Sequence, residues 1–162
     1  MARRYNPYFN FSLLIVHIYM VWMTEQDLHV QIKSERLTQV IDEDTTILDD
    51  AEASAIAVVT DALHSQYDTD AIFATTGDER PAQVLRWVRN IMLYDISGRL
   101  PEKMVSERVI KNYDDTIAVL TDIEDGKKST SLPRQEVTDT EGVTSQRTKF
   151  RWGSNTPRTH DY

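Results

Sequence analysis

The spacing of apolar and polar positions divides the chain into three parts. Residues 1–22 form an apolar N-terminal extension. Residues 23–128 carry repeated helical periodicity. Residues 129–162 are rich in Ser, Thr, Asp, Gly and Pro and read as an extended C-terminal arm. The expected fold is therefore all-α: a small helical bundle of two short and three longer helices, with the arm trailing from it.

Each helix has its own signal. Thr24, with Glu25 and Asp27 behind it, reads as a cap for a short helix to Gln31 that turns Leu28 and Ile32 inward. A second short helix fits Ser34 to Val40, with Leu37, Val40 and Ile41 apolar. From Asp50 to about Gln66, Ile56, Val59, Leu63 and Tyr67 fall at helical spacing, with Asp49 or Asp50 as the cap. Ala51, Ala53, Ala55 and Ala62 leave room for another helix to approach. Residues 68–80 read as a polar connection pinned by Ile72 and Phe73. Pro81 suits the first turn of the next helix, where Val84, Leu85, Val88, Ile91, Met92 and Ile96 share a face. Gly98 fits the left-handed position that ends it. Pro101 opens the longest helix, with Val105, Val109, Ile110, Tyr113, Ile117, Leu120 and Ile123 in one stripe up to Gly126. The short turn between these last two helices makes them antiparallel.

The chain's start is unusual. Residues 11–23 are almost uninterruptedly apolar, behind Arg3 and Arg4. The run is short for a membrane helix, contains His17, and lacks a small-residue cleavage site. An interaction segment, or translation that begins at Met20 or Met23, fits better than a signal peptide or anchor, and no membrane association is expected.

Charge adds a second asymmetry. The formal net charge is -8. Residues 127–162 carry +3 and residues 1–126 carry -11. An acidic body repels a nucleic-acid backbone at long range. The basic arm suits an acidic neighbour, including another copy. Phe150 and Trp152 stand two apart, so an extended chain points them the same way, as anchors. With Arg147, Lys149 and Arg151 they also allow contact with nucleic acid through charge and stacking. Trp87 and Tyr94 lie beside the stripe of their helix, placed to seal its edge or meet a neighbouring subunit.

The inventory for catalysis is thin. There is no cysteine, so thiolate metal sites and cysteine nucleophiles are excluded. His17, His29, His64 and His160 have no metal-ligand spacing, and no HExxH, P-loop, GxSxG or GxGxxG occurs. Asp42, Asp44 and Thr46 are placed like calcium-loop ligands, but Ile47 and Ala53 stand where the turn glycine and the bidentate glutamate belong. Asp61 and Asp95 interrupt partly apolar helices, and a solvated or hydrogen-bonded structural role suits each. No catalytic residue, metal or cofactor is expected.

Several segments together carry a resemblance. They are Thr24 to Leu28, Ala62 to Tyr67, Tyr-Asp-Ile-Ser-Gly-Arg-Leu-Pro-Glu over 94–102, and Asp-Gly-Lys at 125–127. In this order the chain resembles the Mu-like gp36 family and related head-tail connector, or head-completion, adaptors of tailed phages, over roughly Met23 to Leu132. The resemblance implies a structural virion protein that forms a ring of about twelve copies below the portal. Its partners would be the portal and the neck or tail proteins, with DNA passing through the channel without sequence-specific binding. The implied location is the head-tail interface, with the host cytoplasm during assembly. The apolar leader and the long arm depart from the family pattern, and the acidic loop lacks the glycine-containing form of some relatives. Competing readings are a regulatory helical domain that binds protein or nucleic acid, a small hydrolase or metal enzyme, and a protein anchored through residues 11–23.

Overall fold

A computed structural model describes residues 22–42, 44, 46–138 and 144–146. The elements are α1 (Glu25–His29), α2 (Ser34–Ile41), α3 (Thr46–Leu63), α4 (Thr69–Ala74), α5 (Ala82–Ser97) and α6 (Glu107–Glu124). A two-stranded antiparallel hairpin follows, β1 (Glu136–Thr138) against β2 (Thr144–Gln146). The fold is all-α apart from this hairpin.

α5 is the central helix and packs against α1, α2, α3 and α6. That role explains its burial. Val84, Trp87, Val88, Ile91, Met92, Leu93 and Ile96 are all buried, a wider arc than a one-sided stripe. α3 crosses it with Ala51, Ala55, Val59, Ala62 and Leu63 inward, and the alanines let the two backbones approach. Ala53 faces outward and takes no part.

The boundaries depart from expectation in ways that local hydrogen bonds explain. α3 begins at Thr46 rather than Asp50, because Asp44 Oδ1 accepts from both the Thr46 amide (3.1 Å) and the Thr46 hydroxyl (2.6 Å). Asp49 and Asp50 therefore lie inside the helix and do not cap it. It closes at Leu63, whose carbonyl accepts from Gln66 and Tyr67. Within the expected connection 68–80, Asp68 caps α4 by accepting from Ala71 N at 2.9 Å, and Ile72 is buried. Pro81 occupies the cap of α5, one place before the first turn.

Gly98 is not left-handed, with φ at -61°. Its amide bonds the carbonyls of Tyr94 and Asp95 at 3.2 Å, so the chain stays right-handed as it leaves the helix. Pro101 opens only a single 3-10 turn through Met104. Ser106, extended at ψ 130°, breaks the register, and α6 starts at Glu107. Gly126 does take the left-handed position, φ 72°, and lets Lys127 N reach back to Asp122 O at 2.8 Å.

The start of the arm lies against the helical body. Leu132 is buried, Thr130 N donates to Tyr67 Oη at 2.8 Å, Asp68 N to Pro133 O at 3.0 Å, and Gln135 N to Gln66 O at 3.2 Å. The Arg134 guanidinium sits over the Tyr67 ring, 5.7 Å from its centre.

Candidate assembly surfaces

The N-terminal edge is a clasp built around Trp22 and Met23. Glu52, buried on the inner face of α3, accepts from both backbone amides, at 2.9 Å from Trp22 and closer still from Met23. Arg80 donates to Trp22 O at 2.8 Å and to Asp27 Oδ2 at 2.8 Å, and its guanidinium lies over the Trp22 ring. Phe73 meets the same indole edge to face at 5.1 Å. Asp27 also accepts from the amide and hydroxyl of Thr24, both at 2.8 Å. Burial alone would raise the Asp27 carboxyl. The Arg80 and Thr24 hydrogen bonds and the Arg80 charge outweigh it and hold the group below its ordinary 3.8. The last two residues of the apolar run thus fill the protein's own core.

A polar network crosses the contact between α5 and α6. Asn90 and Thr116, each 3% exposed, are joined by an Asn90 Nδ2 to Thr116 Oγ1 bond of 3.0 Å. Gln31 Nε2 donates to Asn90 Oδ1 at 2.9 Å, and Asn112 Nδ2 returns to Gln31 Oε1 at 3.3 Å. Sequence reasoning missed this network and Glu52. The available signal was a polar residue at a core register: Asn90 beside Ile91 and Met92, and Glu52 three before Ala55 and seven before Val59.

The two described candidate interface residues behave differently. Trp87 is only 5% exposed and belongs to the core, which fits the edge-sealing position beside its helix's stripe. The arc of α5 that it occupies is covered by α6. Its edge forms the floor of a groove of about 190 Å³ shared with Arg86, Asn90, Thr116, Val119 and Lys128. Tyr94 is 38% exposed and stacks on Tyr113 with ring centres 3.9 Å apart. Ile110, one helical turn before Tyr113, is 41% exposed. Arg147, Phe150, Arg151 and Trp152 lie outside the described residues.

A second groove, about 320 Å³, opens where the start of α3 meets the end of α5. Ile47, Ala51 and Ile96 supply apolar wall, and Asp50, Ser54, Asp95 and Arg99 supply polar wall. Partial burial raises the Asp95 carboxyl despite its hydrogen bond with Ser54. Asp49 is raised too, by burial and then by the charges of Glu52 and Asp50. Among the described residues, Arg99 is the one cation lining the groove, and its field acts on Asp44. Asp61, on the outer face of α3, is exposed.

Among the described residues, no three His, Asp or Glu groups converge on a metal-sized site, and no helix is long and apolar enough to cross a membrane. His64 Nδ1 lies 2.6 Å from Asp61 O, a contact within one helix end. Asp42 takes a left-handed turn after α2, and the Asp44 carboxylate is committed to Thr46 at the start of α3. No curated protein and no solved structure matches the chain. Residues 22–147 match the family described as Bacteriophage Mu, Gp36, a span that starts at the clasped Trp22 and ends at the hairpin. A match over that much of the chain places it plainly: this helical, phage-related protein belongs to the Bacteriophage Mu Gp36 family.

Proposed function

We propose that the protein is a structural head-tail connector, an adaptor that forms a ring below the phage portal, extends the DNA channel and joins the head to neck or tail proteins. The family match over residues 22–147 carries this reading. The physical character of the chain supports it. Residues 1–126 carry a net -11, and an acidic wall lets a polyanion slide past without adhering. A rigid helical body with an oppositely charged C-terminal segment offers two different surfaces, the requirement for a head-to-tail contact that closes into a ring.

In this role the partners are other copies, the portal protein and the neck or tail proteins, and the place of action is the virion neck after assembly in the host cytoplasm. The portal protein of the same phage is the test ligand. Mixing it with the full-length chain should convert the free chain into a discrete ring of defined mass on the portal. A chain that stays free at every ratio would overturn the reading.

A further inference from the structure

The groove at the α3–α5 junction has three features of a receptor for a cationic, aromatic peptide. Its apolar wall, Ile47, Ala51 and Ile96, borders an open, shallow groove of about 320 Å³ on which a flat aromatic ring can lie. Its polar wall is acidic in balance: Asp50 and Asp95 line it, Asp49 and Asp44 flank it, and Arg99 is the cation among the lining residues. Among the described residues, one oxygen of Asp49 is shielded from solvent with no hydrogen-bond donor, and Asp95 bonds the neutral Ser54.

The matching segment is in the sequence. Residues 147–152 read Arg-Thr-Lys-Phe-Arg-Trp, three cations and two aromatics with no acid. Reach favours a second copy's segment. Residue 135 is anchored to Gln66, just beyond the far end of α3, and β2 pairs back to residue 136. From Leu63, the last residue of α3, back to Ala51 is about 18 Å along the helix axis. Six residues beyond Gln146 span at most about 22 Å when fully taut. A chain's own Trp152 therefore reaches its own groove only when the segment is drawn nearly taut.

We propose that this groove receives residues 147–152 of a second copy, with Trp152 on the Ile47–Ala51–Ile96 wall and Lys149 and Arg151 on Asp50 and Asp95. The long basic side chains reach the rim carboxylates while the ring goes down. The contact joins two different surfaces, so it propagates head to tail from copy to copy. This inference rests on the ring reading and names the surfaces that would link its subunits.

A charge exchange in the full-length chain tests it. Self-association is followed by sedimentation or native mass spectrometry, alone and with the portal protein of the same phage. Asp95→Lys and Arg151→Glu should each weaken association about tenfold, and the two combined in one chain should restore most of it. Melting temperatures verify that each variant folds. Wild-type assembly that neither reversal weakens would overturn the docking assignment and leave the ring reading standing. Wild-type chain that associates with neither itself nor the portal would overturn both.

Discussion

Arg80 and Asp27 form an ion pair of 2.8 Å whose side chains are 9% and 15% exposed, and the same guanidinium holds the carbonyl and ring of Trp22. One arginine thus ties the first helix, the chain's entry into the core and the approach to α5 together. Because the Asp27 carboxyl is held below 3.8 in the folded protein, the sign of its pH dependence is fixed. Its contribution is fully present above the unfolded-state value and is lost as pH falls through the folded-state value. Acid unfolding followed by circular dichroism should show a loss below about pH 4 that is blunted in Asp27→Asn. At neutral pH, Arg80→Ala should cost about 2–3 kcal/mol in urea unfolding, since it leaves a partly buried carboxylate unpaired. A cost within error of zero would show that the clasp is ornamental.

Trp22 is the first of the described residues, and it lies in the core. A chain that begins at Met20 keeps it and should melt with the full-length protein. A chain that begins at Met23 loses the indole on Phe73 and the Trp22 carbonyl that Arg80 holds. It should be destabilised by about 3 kcal/mol, roughly 10 °C, and Trp22→Ala in the full chain, which keeps the backbone bonds to Glu52 and Arg80, should cost less. Equal melting of both shortened chains would contradict the assignment of Trp22 to the core.

Asn90 sits at the centre of a network in which each partner is spoken for. Asn90→Ala strands Gln31 and Thr116 and should cost about 2–3 kcal/mol. Thr116→Val, nearly isosteric, should cost less. In a double-mutant cycle the two should be coupled by more than about 0.5 kcal/mol. Additive effects would mean that the network does not act as a unit.

Asp95 behaves oppositely to Asp27. Its carboxyl is raised by burial, so the folded state disfavours its ionised form. The stability it removes appears as pH rises through its folded-state value and is absent in acid. Asp95→Asn should therefore raise the melting temperature at neutral pH and leave it unchanged below about pH 3. A variant less stable at neutral pH would reverse this account.

Trp152→Ala separates folding from assembly. Melting of the isolated protein should barely change, because among the described residues the core cluster runs from Trp22 to Leu132. Binding to portal or to other copies should fall. Unchanged assembly would remove the aromatic anchor from the account.

The helices were legible in the sequence because their apolar positions are dense and regular. Val84 to Ile96 and Val109 to Ile123 could hardly be read otherwise. Element ends were less legible because single side-chain bonds set them. Asp44, not the nearer Asp50, claims the start of α3, and Ser106 interrupts what reads as one helix from Pro101. α4 is too short to show a period and is visible only through its Asp68 cap. Trp87, beside the stripe in the sequence, is buried, since a central helix buries residues that lie off its main stripe. At Tyr94 the tyrosine stack with Tyr113 was invisible, because it joins residues nineteen apart that only antiparallel packing brings together. The buried polar groups Glu52 and Asn90 went unread because sequence patterning treats a polar residue as solvent-facing.

Native mass spectrometry of the full-length chain mixed with the portal protein of its own phage tests the central claim most directly. The account predicts a single large species in which a fixed number of copies sits on the portal ring. A chain that remains monomeric beside an intact portal, across concentration and salt, would contradict it.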